Sequence, residues 1–140
     1  MALRSADDRV GEAGRVTKEP ALADYRQQIE DALVYSGRSH TYDDVAAMVE
    51  AGSAQAWYGP RSVIITEIVI EPQYKVLHFF LAGGHGGELD AMYPHVEAWG
   101  REHGCQHATL VGRKGWERTF LKRQGWVNHG LVVLGKALNE

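Results

Sequence analysis

The sequence predicts a mixed α/β fold, a mainly antiparallel sheet flanked by helices in the order α-α-β-β-β-α-β-α-β. Three observations carry the prediction. Apolar residues recur at helical spacing before residue 50 and again between residues 88 and 103. Three β-branched-rich runs separated by turn residues fill the stretch between. Helix-like and strand-like segments then alternate to the end. A meander followed by a β-α-β crossover makes a mixed sheet. The 140 residues are the size of one domain, able to bury about two thirds of its unfolded surface without disulfide staples.

Residues 1–20 mix Arg4, Asp7, Asp8, Arg9, Glu12, Arg15, Lys18 and Glu19 with glycines and no apolar period. They are expected to form a flexible or partner-bound arm, with residues 21–140 as the single domain. Leu22, Tyr25, Ile29 and Leu33 mark an amphipathic helix over residues 21–35. Thr41 and Asp44 give a capping signal for a second helix, with Val45, Met48 and Val49 inward and Gly52 at its end. Strands are expected over residues 54–58, 62–70 and 75–81, divided by Gly59-Pro60 and by Glu71-Pro72-Gln73. Leu89, Met92, Val96 and Trp99 mark a third helix that Gly104 closes, with a kink or restart expected at Pro94. A short strand at 107–111, a short helix at 115–124 closed by Gly125, and a last strand region at 127–138 complete the order.

Composition narrows the function classes. Hydrophobic residues are 44% and charged residues 24%, ordinary values for a globular protein. A net charge of −3 and a pI near 6.2 give no whole-molecule field for nucleic acid. Cys105 is the one cysteine, so no internal disulfide framework exists, and a reducing compartment is expected. No run approaches the ~20 apolar residues of a membrane helix, and the first residues lack an apolar signal core. A cytoplasmic protein is therefore expected.

Two motifs sharpen the fold reading. Phe120-Leu121-Lys122-Arg123-Gln124-Gly125-Trp126 closes the last helix, and Ala82-Gly83-Gly84-His85-Gly86-Gly87-Glu88-Leu89 joins a strand to a helix. Together with the element order, over about residues 21–138, they resemble the Gcn5-related N-acetyltransferase (GNAT) fold without its first strand. The resemblance implies that Gly84, His85, Gly86 and Gly87 stand where GNAT enzymes hold the pyrophosphate of acetyl-CoA. Backbone N–H groups at a helix start suit that anion. Three departures stand against a working enzyme. Leu81 occupies the Gln/Arg position of the family's loop pattern. Glu88 and Asp90 place two carboxylates in the first turn, where they would repel phosphate. Leu121 replaces the tyrosine that in many GNAT enzymes protonates the leaving thiolate. Glu67 and His78 are the weak candidates for a catalytic base. Residues 78–126 also resemble small, degenerate GNAT-like proteins of tailed bacteriophages, some similar to internal virion components of short-tailed phages. That implies assembly in place of catalysis, in a host cell and in a phage particle.

Other constellations are weaker. Arg113, Lys114, Arg118, Lys122 and Arg123 form a local basic cluster, and Trp116 follows a glycine. Arg113, Lys114, Trp116 and Arg118 are candidates for binding an acidic protein partner. His103, Cys105 and His107 straddle a helix stop and lack metal-ligand spacing, so no metal site is expected. Trp57 sits at a hairpin, where core packing and an interface role are both open. Two readings follow. The first is a structural or interaction component, a bacteriophage virion or assembly protein, with no cofactor, bound to other subunits through the arm and the basic surface. The second is an acyl-CoA-dependent N-acetyltransferase with an unusual glycine loop and acetyl-CoA as cofactor. A splay between strands 77–81 and 107–111 would favour the second.

Overall fold

The computed structural model describes residues 4–5, 20–113 and 115–139, with Arg4 and Ser5 described as backbone only. The expected arm therefore lies, apart from Arg4, Ser5 and Pro20, outside the described residues, as does Lys114 of the basic cluster.

A sheet in the order β1-β2-β3-β4-β5 forms the middle layer. β1 (Arg4–Ser5), β2 (Gln55–Tyr58), β3 (Val63–Ile70) and β4 (Lys75–Gly83) pair antiparallel, and β5 (His107–Leu110) joins β4 in parallel. β1 supplies a first strand that the sequence reading had left out. The predicted turns close both hairpins: Gly59 N–H donates to Ser62 O at 2.8 Å, and Glu71 N–H to Tyr74 O at 2.9 Å. β3 is the central strand. Ile64 and Ile65 are both fully buried, on opposite faces. Each such side chain contributes about 1.5–3 kcal/mol on removal from water.

One face carries α1 (Arg26–Val34), preceded by a 3₁₀ turn over Leu22–Tyr25, and α2 (Tyr42–Glu50). Leu22, Tyr25, Ile29 and Leu33 pack with Val45, Tyr58 and Ile65. The Tyr25 hydroxyl donates to Gly59 O at 2.6 Å. The capping box at Thr41 forms as its sequence indicates: Asp44 N–H donates to Thr41 Oγ1 at 3.2 Å, and Thr41 N–H to Asp44 Oδ2 at 2.8 Å.

The other face carries α3 (Gly86–Glu102) and the short α4 (Phe120–Arg123). Trp57 belongs to this core. Its Nε1–H donates to Thr66 Oγ1 at 3.0 Å, and its ring meets Trp99 edge-on at 5.2 Å. Gly125 ends α4 at φ +90°, a left-handed conformation that favours glycine. The Gly125 and Trp126 N–H groups then reach back to Lys122 O (3.2 Å) and Leu121 O (3.0 Å), a Schellman closure.

Two expectations are corrected and a third is narrowed. α3 runs through Pro94 without a restart. The donor that proline lacks would have served Asp90 O, and Gln124 Nε2 donates to that carbonyl instead, at 2.8 Å. The helix expected over 115–124 is broken in two. Thr119 is extended, and its hydroxyl caps α4, so Trp116–Arg118 forms a separate 3₁₀ turn. The last strand of the expected order, over 127–138, does not form. Gly130 N–H donates to Asn128 Oδ1 at 2.7 Å, and the chain beyond makes no ladder. β-propensity is realised only against a neighbour, and this segment has none among the described residues.

Candidate functional site

The site arises where β4 and β5 part. They are paired from Val76 opposite His107 to Phe79 opposite Leu110. β4 then continues to Gly83 alongside β3, while β5 stops. A bulge helps the parting. Ile65 faces Leu81 and Thr66 faces Phe79, so Phe80 has no partner on β3. A bulge bends its strand and shifts the alternation of side chains. Leu77 and Phe79 accordingly pack under α3, whereas Leu81 packs under α1.

The gap is a cleft of about 210 Å³. Phe79 to Gly84 line one side and Leu110 to Arg113 the other. Asp31, Ala32, Tyr35 and Ser36 wall it from the α1 face, and Leu89, Tyr93 and Trp116 complete it. Helices from both faces of the sheet therefore contribute walls to one opening. Arg113 lies at its rim, its guanidinium 3.9 Å from the Tyr35 ring centre and 5.9 Å from that of Trp116. Tyr93 stacks on Phe79 at 4.5 Å. Burial, with a smaller effect from Glu97, pushes its phenol far above the ordinary value, so it stays protonated.

The glycine loop lies at the end of this cleft. Gly83 sits beneath α1, where an added Cβ would stand 2.6 Å from Gln28 O. Gly84 has φ +125°, and a Cβ there would stand 2.6 Å from Arg61 O. Both glycines are required by the close approach of α1 and of the β2–β3 turn. Gly86 and Gly87 differ: nothing lies within 4 Å of a Cβ on either. They begin α3, and their N–H groups have no partner among the described residues, as the first turn of a helix leaves them.

Only Glu88 falls in that first turn, Asp90 lying just beyond it, against the expectation of two carboxylates there, and both are engaged elsewhere. Glu88 Oε1 accepts from Ser62 Oγ (2.7 Å) and Arg61 N–H (2.9 Å), and Oε2 accepts from Arg61 Nε at 2.9 Å. Burial pulls its carboxyl upward, but the Ser62 and Arg61 hydrogen bonds and the guanidinium charge outweigh it and hold it below the ordinary value. Ser62, fully buried, also accepts His85 N–H at 2.9 Å, which ties the loop to the turn. Asp90 accepts from Arg123 at 2.7 Å and from Gln124 at 2.6 Å, and these bonds lower its pKa. Each carboxylate is thus paired with an arginine, and the repulsion expected from the sequence is largely compensated.

The other candidates lie apart. Glu67 and His78 face each other across β3 and β4 and do not line the cleft. His78 shares a 2.9 Å hydrogen bond with Thr109, and burial pushes its pKa down. Leu121 is 2% exposed within the α3-side core. Arg118 is exposed, while Arg123 is held by Asp90, so the basic cluster divides between the cleft rim, the surface and the α3–α4 joint. Cys105 is half-buried, and burial raises its pKa. Among the described residues no three His, Cys, Asp or Glu side chains converge on a metal position, and no helix is long and apolar enough to cross a membrane. Sequence reasoning missed Tyr35, Ser62 and Tyr93. Only Tyr93 left a signal, falling four residues after Leu89 on the inward face of α3.

No protein-family model and no curated relative matches the sequence. Solved structures match the fold. A probable acetyltransferase aligns over 100% of this chain and 99% of its own, with a TM-score of 0.70 and 6% identity. A GCN5-related N-acetyltransferase from Ralstonia eutropha JMP134 aligns over 96% and 97%, with a TM-score of 0.62 and 16% identity. An aminoglycoside N-acetyltransferase in complex with CoA aligns over 84% and 89%, with a TM-score of 0.63 and 11% identity. The chain has the GNAT fold.

Proposed function

We propose that the chain is an acyl-CoA-dependent N-acyltransferase, carried above all by the cleft that opens through the sheet between β4 and β5. A sheet breached between parallel strands, with helices walling the gap from both faces, lets two substrates meet from opposite sides. On this reading the free N–H groups of Gly86 and Gly87 take the CoA pyrophosphate. The apolar walls from Phe79 to Ala82 and Leu110 take the pantetheine arm. An amine enters from the α1 face, past Tyr35, Ser36 and Arg113.

The neutral amine nitrogen attacks the thioester carbonyl and forms the C–N bond, the C–S bond breaks, the nitrogen releases one proton to water, and the leaving thiolate takes one up, so no net proton is consumed. Leu121 has none to give. Tyr35, Ser36 and Tyr93 are the hydroxyl-bearing residues that line the cleft, and the burial that raises the Tyr93 pKa makes its phenol a reluctant acid, so water in the open cleft is the proton source. Fold likeness alone does not establish activity. The reading is supported by what this chain keeps: the splay, the bare helix start, and carboxylates paired away from it.

Thermal unfolding with millimolar acetyl-CoA tests binding, in the parent and in Gly86→Glu. Open space around Gly86 lets that variant fold. A ligand at a hundredfold excess over its Kd adds about 2.7 kcal/mol. The expected result is a clear shift in the parent that the variant loses, with CoA thiol released when a panel of amines is added. No shift in either protein would overturn the proposal. It would favour the other reading, a structural or interaction subunit without catalysis, which the leucine at 121 supports.

A further inference from the structure

We infer that Arg113 receives a carboxylate on the acceptor, so that the amine acylated in this cleft belongs to an amino acid. The inference rests on the acyltransferase reading and names its second substrate. Arg113 stands apart from the arginines that hold the fold. Arg61, Arg101 and Arg123 each take a carboxylate, from Glu88, Glu97 and Asp90. The Arg113 guanidinium makes no hydrogen bond or ion pair among the described residues. Rings alone hold it, with the centre of Tyr35 at 3.9 Å and that of Trp116 at 5.9 Å. Aromatic faces attract the charge and leave the N–H fork open. That fork matches a carboxylate in two parallel hydrogen bonds.

The backbone sets this position. Trp116 N–H donates to Arg113 O at 3.1 Å, and Gly115 turns the chain at φ +98°. A Cβ on Gly112 would stand 3.2 Å from Leu110 Cδ1 and 3.3 Å from Trp116 Cβ. Glycine at 112 therefore lets Trp116 fold back against the end of β5, within reach of the Arg113 side chain. Tyr35 comes from the opposite wall, at the end of α1. Arg113 thus spans the mouth of the cleft, on the side where the amine enters.

Asp31 supplies the countercharge. It lines the same cleft one helical turn before Tyr35. Its Oδ1 accepts from Gln27 at 2.8 Å, and it forms no ion pair among the described residues. The mouth therefore presents a cation and an anion that do not pair with each other. A polyamine suits Asp31 and opposes Arg113, and a dicarboxylate does the reverse. A molecule with one amine and one carboxylate suits both. Its ammonium is drawn to Asp31, releases a proton to water and enters the cleft as the neutral amine that the transfer requires.

Matched pairs that differ by one carboxylate test this: alanine and ethylamine, phenylalanine and phenethylamine, lysine and 1,5-diaminopentane. CoA thiol release gives kcat/KM for each, and calorimetry without acetyl-CoA gives binding to the protein alone. The expected preference for the amino acid is about tenfold or more in at least one pair. It should fall to near one in Arg113→Ala, survive in part in Arg113→Lys, which lacks the fork, and invert in Arg113→Glu. A chain that shows no acetyl-CoA shift would refute the acyltransferase reading, and the calorimetric pairs would still report on Arg113. A chain that binds neither member of any pair, a preference that Arg113→Ala retains, or an equal loss for both members of a pair would overturn the inference. The last result would make Arg113 a strap between the two walls.

Discussion

Replacing Gln124 by alanine strips the clasp between α4 and α3 at the point where Pro94 has weakened α3. Gln124 Nε2 donates to Asp90 O at 2.8 Å and to Asp90 Oδ1 at 2.6 Å. The carboxylate keeps Arg123, at 2.7 Å. The carbonyl keeps no i+4 donor, because residue 94 is proline. One net hydrogen bond is worth about 1 kcal/mol, and a poorly hydrated carbonyl left without a partner costs about 1 more. With an unfolding entropy of about 2.1 cal/mol/K per residue, a loss of about 2 kcal/mol lowers Tm by roughly 7 °C. The sharper measurement is a double-mutant cycle by urea denaturation. Pro94→Ala restores the N–H that the Asp90 carbonyl lacks, so Gln124→Ala should cost about 1 kcal/mol less in that background. If the two changes add within about 0.3 kcal/mol, the carbonyl does not depend on Gln124, and this account of Pro94 is wrong.

Three further outcomes are expected. Gly84→Ala should destabilise by about 2 kcal/mol or more, since the left-handed backbone and the contact with Arg61 O both oppose a Cβ; a melting curve unchanged from the parent would contradict this. Glu88→Gln should flatten the acid limb of the stability–pH curve. The folded carboxyl lies below its ordinary 4.5, so the unfolded chain binds more protons there. The parent holds that stability above about pH 4.5 and loses it as pH falls through the lower folded value, and equilibrium unfolding from pH 6 to 3 reads the difference. Tyr93→Phe should retain the acetyl-CoA shift and leave turnover within a few-fold of the parent, because burial that raises the phenol pKa opposes proton donation, and a loss of about 10²-fold in single-turnover assays would make Tyr93 the donor.

The fold was legible where local signals and packing agree. VIITEIVI reads as a central strand and is one, and the Thr41-to-Asp44 cap forms as its spacing suggests. Less legible were features set by distant partners. The bulge at Phe80 has no signature in FFLAG, because it depends on how β3 and β4 register. Thr119 caps α4 with a residue that also reads as helix interior. Residues 127–138 have the composition of a strand, yet composition cannot supply the neighbour that a strand needs. In the site, the glycines were visible but their roles were not. Gly83 and Gly84 answer to Gln28 and Arg61, far away in sequence, while Gly86 and Gly87 are left open.

The acidic start of α3, with Glu88 in its first turn and Asp90 just beyond, shows why a residue list misjudges an anion site. Glu88 and Asp90, read alone, oppose phosphate. In space, Arg61 arrives from the β2–β3 turn and Arg123 from α4, and each carboxylate takes up an arginine that lies outside the helix. The local charge is then near balance, and the helix dipole with its free N–H groups remains the uncompensated positive feature at Gly86 and Gly87. The same pairs serve the architecture. One clamps the loop to the β2–β3 turn through Ser62, and the other clamps α4 to α3 across the proline. The carboxylates are therefore better understood as braces that hold the mouth of the cleft. It follows that Arg61→Ala should weaken acetyl-CoA binding without contacting the ligand, by leaving Glu88 uncompensated beside the pyrophosphate. The loss should shrink in an Arg61→Ala, Glu88→Gln double variant. An Arg61→Ala protein that binds acetyl-CoA as the parent does, by titration calorimetry at low salt, would show that charge balance at this turn does not govern the site.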